Sequence, residues 1–457
     1  MAVWTPDCNA AAQHAYFALH ALQHRGQEAA GIAAQLEERV EIVKDSGLVS
    51  EVFQDEDLDR LSSDRAIGHV RYSTTGASDR VNAQPIVFRS GRRWVAVAHN
   101  GNITNAAQVR AQLESEGASF NTTTDSEVIA ALVARHGGTA AQGIVQALRE
   151  LEGGFSVCLM TRNQLLCFRD QHGIRPLVIG VLDNGGYVVA SETCALDTVG
   201  ARYLREIVAG EVVTISQTGL QSFQAHLPEP RGCAFEAIYF SSPASRLGSE
   251  LVYDQRVRLG LELASEAPVQ ADAVIGIPDS AGAIALGYGR RAEIPYQDGL
   301  VKNRYVARTF IEPTAQEREA ALRRKFLVLA SAIAGKRLVV VDDSIVRGST
   351  MKHVVKMLRH AGAVEVHLRV GSPRVLHPCH YGVDMGHAGD YIAEGRTDKQ
   401  IATELNADSV AFLTVEGLER ALRRPRSRRC FACFTGDYPV VPRDAVTGRD
   451  QLSDLTD

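Results

Sequence analysis

The chain has 457 residues, of which 45% are hydrophobic and 23% charged, and its net charge is −5. That length exceeds one ordinary core, so two or three domains are expected, and the acidic balance argues against a general nucleic-acid binder. No run of roughly 18 apolar residues and no leader pattern marks a membrane span or signal peptide, so the expected setting is the cytoplasm.

Met1 to Trp4 reads as the tail of a strand, and the helix after it buries Ala12, Tyr16, Leu19 and Leu22 on one face. Polar clusters then recur where apolar stretches end: Gln23-His24-Arg25-Gly26-Gln27, His69-Val70-Arg71-Tyr72-Ser73-Thr74-Thr75-Gly76, and His99-Asn100-Gly101-Asn102 after Val95 to Ala98. Thr122-Thr123-Thr124-Asp125-Ser126-Glu127 opens a further helix with an N-cap signature. Two prolines in Leu227-Pro228-Glu229-Pro230-Arg231-Gly232 place a domain boundary there, so domains are expected at residues 1–228 and 229–457.

In the second half, Ala273 to Ile277 runs into Pro278-Asp279-Ser280 and a helix of small residues. Lys302, Arg304 and Arg308 fall within seven residues lacking strong periodicity, which reads as a cationic loop able to close over an anion. Leu338 to Val341 reads as a buried parallel strand that stops at Asp342 and Asp343. Ser344, Arg347, Gly348, Ser349 and Thr350 follow, and Met351, Val354, Val355 and Leu358 recur at helical spacing until Gly362 offers a C-cap. Val364, Val366, Leu368 and Val370 alternate as the next strand. Such a βαβ unit presents backbone NH groups and hydroxyls to a phosphate at its strand ends. Two acids would repel that phosphate unless they bind a sugar diol or Mg²⁺, so a sugar phosphate with a metal is expected.

The Asp342 to Thr350 segment resembles the phosphoribosylpyrophosphate (PRPP) motif of type I phosphoribosyltransferases. The resemblance implies that the two acids hold ribose hydroxyls and Mg²⁺, while the loop wraps the 5′-phosphate. Ser280, at the start of the small-residue helix, suits a pyrophosphate or Mg²⁺ contact, and taken alone reads as a plain N-cap. The first-half clusters, extended by Arg169-Asp170-Gln171-His172-Gly173-Ile174-Arg175-Pro176 and Ser191-Glu192-Thr193-Cys194, resemble the glutaminase domain of the N-terminal-nucleophile amidotransferases. That likeness implies Arg71 on the glutamine α-carboxylate, Asp125 on its α-amino group, and Asn100 with the Gly101 NH as oxyanion hole.

Together the halves resemble the glutamine phosphoribosylpyrophosphate amidotransferase family. The fold implied is an N-terminal-nucleophile αββα sandwich followed by a type I phosphoribosyltransferase domain with a parallel sheet. The implied reaction takes ammonia from glutamine to PRPP, giving 5-phosphoribosylamine, glutamate and pyrophosphate as the first step of purine synthesis, in a homo-oligomer, commonly a tetramer, inhibited by purine nucleotides. The alternative is a PRPP-sensing regulator without turnover. Family members begin with a nucleophilic Cys; here the nucleophile is absent and the chain opens Met1-Ala2-Val3-Trp4, so glutamine use is doubtful as written. Because the other pocket motifs are present, a start recorded too late is favoured over a lost activity.

Eight cysteines are present. Cys430-Phe431-Ala432-Cys433, with Cys233 and Cys379, resembles the ligand set of the family's [4Fe-4S] branch in a C-terminal cluster-binding tail, with Zn²⁺ the chemical competitor. Cys158, Cys167 and Cys194 read as core thiols. The run Arg423, Arg424, Arg426, Arg428, Arg429 reads as a solvated face or a nucleotide-effector surface.

Overall fold

In the computed structural model, residues 1–72, 80–91, 93–136, 138–303, 324–386 and 389–441 are described. The alternating apolar segments of the first half pair into two antiparallel sheets. One has seven strands, in the order Arg202–Glu206, Val178–Val181, Tyr187–Ala190, Ala2–Trp4, Arg65–Arg71, Ala29–Leu36, Arg39–Ser46. The other has six, in the order Gly219–Gln224, Glu211–Ser216, Leu165–Arg169, Gly153–Met160, Arg93–Ile103, Ile86–Ser90.

Because side chains alternate across a strand, each sheet must bury two faces, and three apolar layers result. Ala2, Ile67, Ala96, Cys158 and Val189 fill the space between the sheets. Ala15 and Leu19 of the helix Ala11–Ala21 cover the outside of the first sheet. Val128, Leu132, Ile144 and Leu148, from the helices Asp125–Arg135 and Ala140–Glu150, cover the second. The result is an αββα sandwich, as expected from the resemblance.

The second half forms a parallel sheet of four strands, Ala273–Gly276, Arg337–Asp342, Glu365–Val370 and Ser409–Phe412. Val339, Val340 and Val341 are fully buried, the burial on both faces that the unbroken valine run calls for. The helix after the two acids spans Ser349–His360 and ends at Ala361, with Gly362 just beyond at φ 91°. Val364 differs from expectation: it precedes the strand, which begins at Glu365, and is 56% exposed.

The halves are stitched by a buried polar seam. Glu236, in the helical turn Glu236–Phe240 of the second half, accepts from Arg25 and Arg175 of the first. Glu192 accepts from Arg25, and also from the Ser242 NH at 2.8 Å and the Ser245 hydroxyl at 2.7 Å. Among the described residues, no helix is long and apolar enough to cross a membrane.

Candidate functional site

Two sites emerge, one in each half. The first is a cleft lined by Arg71, His69, His99, Asn100, Gly101, Asp125 and Arg175, with Phe240 and Gly382 contributed by the second half. Asn100 and Gly101 lie in the strand Arg93–Ile103, paired with Ser156 and Phe155 of Gly153–Met160. Gly101 adopts φ 138°, and a Cβ there would stand 2.1 Å from the Gly154 carbonyl oxygen, so only glycine fits this point of the strand.

The Asn100 Nδ2 is buried and has no hydrogen-bond partner among the described residues. An unpaired amide donor is costly to bury, so its position in a cleft suits an incoming ligand oxygen. Asp125 faces the same cleft from the start of its helix, where Oδ2 accepts from the Ile103 NH at 3.0 Å. His99 Nδ1 is 3.1 Å from the Ser126 hydroxyl, and burial lowers the pKa of this imidazole. Burial likewise pushes His69 down to about 3, which leaves a neutral ring whose Nε2 donates to the His99 carbonyl at 2.9 Å.

The N-cap signature at residues 122–127 resolves differently from expectation. Thr124 precedes the helix but its side chain caps nothing; instead Glu127 reaches back to the NH of Thr122 at 2.7 Å and of Asn121 at 3.0 Å. Cys8 is exposed, away from this cleft. Residues 73–79, which include the end of the His69 motif, lie outside the described residues.

The second site is at the carboxyl ends of the parallel strands. The Asp343 NH donates to Asp342 Oδ1 at 2.9 Å, and the Ser344 hydroxyl donates to Asp343 Oδ1 at 2.6 Å. Burial and the neighbouring Asp343 carboxylate push Asp342 well above the usual range, and burial also raises Asp343 although Ser280 and Ser344 bond to it. The adjacent acids, Asp343 buried and Asp342 half-buried, offer carboxylate oxygens of the kind a hard cation takes. Ser280 meets Asp343 from a turn before the helix Gly282–Ala292, whose N-cap is Ala281 rather than Ser280.

Ser349 and Thr350 stand exposed at the start of their helix behind Gly348, where phosphate-binding donors are found. Arg347 is occupied by Asp390 at 3.2 Å, and Lys302 by Asp279 at 2.9 Å. Arg304 and Arg308 lie outside the described residues.

The four candidate ligand cysteines converge. Cys233 and Cys430 are register partners in a two-stranded parallel ladder, and Cys433 lies within electrostatic reach of Cys233, Cys379 and Cys430. Burial pushes Cys233 up to about 11 and holds Cys430 and Cys433 well above the usual thiol value. Thiols are the soft donors that an iron-sulfur or zinc centre takes, and these four lie near one another. Among the described residues, no three His, Cys, Asp or Glu side chains are arranged to hold a single metal ion. Arg429 departs from the solvated face expected of its run, being only 8% exposed with Nε unpartnered among the described residues.

Residue reasoning missed the seam. Arg175 sits in the motif Arg169 to Pro176, but a lone charge does not reveal a partner 61 residues away, the separation of Arg175 from Glu236. The only signal was a glutamate inside the apolar run Cys233 to Phe240.

Comparison with known proteins supplies the family. Residues 69–198 match the model of a glutamine amidotransferase domain, and residues 258–371 that of a phosphoribosyl transferase domain. The amidophosphoribosyltransferase of Synechocystis is 47% identical over 451 residues, covering 97% of this chain and 91% of that protein. The one from Bacillus subtilis is 45% identical over 444 residues, covering 95% and 93%. A solved structure of the B. subtilis glutamine PRPP amidotransferase, complexed with ADP and GMP, superposes with a TM-score of 0.91 at 43% identity over 98% of both chains. With a paired-acid strand end behind a glutaminase-like sandwich, and relatives of this identity over nearly the whole length, the chain belongs to the amidophosphoribosyltransferase family of purine biosynthesis.

Proposed function

We propose that the first-half cleft holds glutamine and that the acid pair holds PRPP, so that nitrogen released in one half is transferred to the sugar in the other. Phosphoribosylamine, glutamate and pyrophosphate are the products. The observation that carries this reading is the unpaired Asn100 amide in a cleft shared with Arg71 and Asp125 and walled partly by the second half. Arg71 grips the α-carboxylate and Asp125 the α-amino group. Given a nucleophile at the amide carbon, a part the family resemblance assigns to an N-terminal Cys, Asn100 Nδ2 and the Gly101 NH point donors at the amide oxygen as it becomes negative, and ammonia leaves as the carbonyl re-forms.

In the transferase half, Asp342 and Asp343 hold the ribose hydroxyls, and with Ser280 they would hold Mg²⁺. The bound metal would supply charge neutralisation to the pyrophosphate as it departs. Ser344, Arg347, Gly348, Ser349 and Thr350 wrap the 5′-phosphate, with Arg347 exchanging Asp390 for the ligand. Lys302, Arg304 and Arg308 are the cations for pyrophosphate. Cys233, Cys379, Cys430 and Cys433 would hold a [4Fe-4S] cluster whose chemistry here is structural, cross-linking the two ends of the second half. Free thiols in this arrangement support a reducing, cytoplasmic setting. The B. subtilis structure is complexed with ADP and GMP, which supports purine nucleotides as the inhibitors that the family resemblance implies; a homo-oligomer, commonly a tetramer, rests on that resemblance alone.

Pyrophosphate release measured with PRPP, Mg²⁺ and either glutamine or ammonium tests the reading. Release that needs all three components supports it. PRPP binding with no release from either nitrogen source would favour a PRPP-sensing protein instead.

A further inference from the structure

The loop that carries Cys379 also touches the strand end that carries Asn100 and Gly101, called the oxyanion turn below. The Asn102 amide donates to the His380 carbonyl at 3.0 Å, across 278 residues of sequence. Gly382 packs so tightly on Gly101 that a Cβ on Gly382 would stand 2.8 Å from the Gly101 carbonyl carbon and 2.9 Å from its Cα. Behind the turn, a Cβ on Gly154 would meet the Tyr381 Cβ and the Ile174 Cδ1, each at 2.9 Å. Backbone therefore rests on backbone, with no flexible side chain between to absorb a shift.

The same loop is gripped from the thiol side. Cys379 Sγ accepts from the Tyr381 NH at 3.4 Å, and the Tyr381 hydroxyl both donates to the Val440 carbonyl at 2.6 Å and accepts its NH at 2.9 Å. Tyr438 donates to the Pro378 carbonyl at 2.7 Å, and its ring packs on His380 at 4.9 Å. The Cys433 carbonyl accepts from the NH groups of Leu376 and His377 at 2.9 and 3.1 Å. Cys233 donates its NH to the carbonyl of Ile174, the residue packed on Gly154, at 3.1 Å. Arg175, adjacent to Ile174, lines the glutamine cleft, and its charge reaches both Cys233 and Cys379.

We propose that the loop Cys379–Gly382 is a positioning element for the oxyanion turn, so that whatever fixes the four thiols also fixes the donors of Asn100 and Gly101. The inference rests on the glutamine and cluster readings above. It makes the thiol centre a determinant of glutamine binding rather than only of folding. Gly382 also borders the cleft, whereas Cys379, His380 and Tyr381 are not among its lining residues and act through Gly101 and Asn102.

The test uses the full chain with its metal centre. Gly382→Ala forces the loop off the Gly101 backbone, and Asn102→Ala removes the side-chain bond to the His380 carbonyl more gently; both leave the cysteines in place. The expected result is about tenfold weaker L-glutamine affinity by calorimetry. About tenfold faster hydrogen exchange is also expected over residues 99–103. PRPP affinity, iron and sulfide content and melting temperature should stay near wild type, a split that a general loss of stability would not produce. Cys379→Ser should speed exchange over the same residues. Unchanged glutamine affinity and exchange in both Gly382→Ala and Asn102→Ala would overturn the proposal. Wild-type protein without iron or sulfide would overturn the cluster reading alone, because these two variants test the brace without it.

Discussion

Arg25 donates two hydrogen bonds to Glu236, from Nη1 at 3.0 Å and Nη2 at 2.7 Å, and so ties the turn after the first helix to the opening of the second half. Arg175 completes the grip at 3.1 Å, and both members of each pair are nearly inaccessible to water. Such an ensemble holds only while it stays whole, because removing one partner leaves a buried charge uncompensated. Glu236→Ala should destabilise the protein by about 3–5 kcal/mol, measured by denaturant unfolding. An Arg25→Ala, Glu236→Ala double cycle should show strong coupling; additive effects would mean that the seam carries no joint energy.

The same residues set an acid limit. Burial is the largest single influence on Glu236 and Glu192 and would raise both, but the partners together outweigh it, Arg25 with Arg175 at Glu236 and Arg25 with His24 and Ser245 at Glu192, so each is held below the ordinary value. A carboxylate depressed by folding contributes stability that is fully present above its unfolded value of 4.5 and is lost as pH falls through the folded one. Asp170, raised by burial, titrates in the opposite sense, so the total curve mixes signs. The difference in melting temperature between wild type and Glu236→Gln isolates the seam. It should be constant above pH 4.5 and shrink below it; a difference that grows on acidification would contradict the assignment.

The cysteine reading makes a chemical demand. Anaerobically purified protein should carry about four irons and four labile sulfides per chain. Stoichiometric Zn²⁺ without sulfide would reject the cluster. Cys430→Ser should cost soluble protein, because Cys430 in the ladder with Cys233 closes the second half from its two ends.

Much of this architecture was legible because it is periodic. The valine run from Val339 to Val341 and the two acids after it announce a strand end, and Met351, Val354, Val355 and Leu358 announce the helix behind it. Asn100, Gly101 and Asp125 came from motif likeness, and the folded chain brings all three to one cleft. What periodicity could not reach is pairing across the halves. Glu236 looks like one acid in an apolar stretch until Arg25 and Arg175 arrive from remote loops. Arg429 looks like the last of a solvated run, yet its backbone is drawn into the ladder beside Cys430 and its side chain is buried with it. Val364 alternates with Val366 in sequence but falls one residue before the ladder begins, where no neighbour covers it.

The acid pair offers the sharpest test of the transferase half. Asp342 and Asp343 adjoin at the end of one strand, and with burial each resists ionisation until a cation arrives to share the charge. Removing either charge by Asp342→Asn or Asp343→Asn should weaken Mg²⁺-dependent PRPP binding by about tenfold or more, equal to at least 1.4 kcal/mol. Glutamine affinity in the other half should be spared, because these side chains lie at the parallel sheet and not in the first cleft. Asp343 should be the more sensitive of the two: it is 4% exposed and bonded to Ser344 and Ser280, so its amide would leave those hydroxyls mispaired as well. Calorimetry with PRPP in the presence and absence of Mg²⁺ reads both effects. Wild-type PRPP affinity in both variants would remove the acid pair from the site.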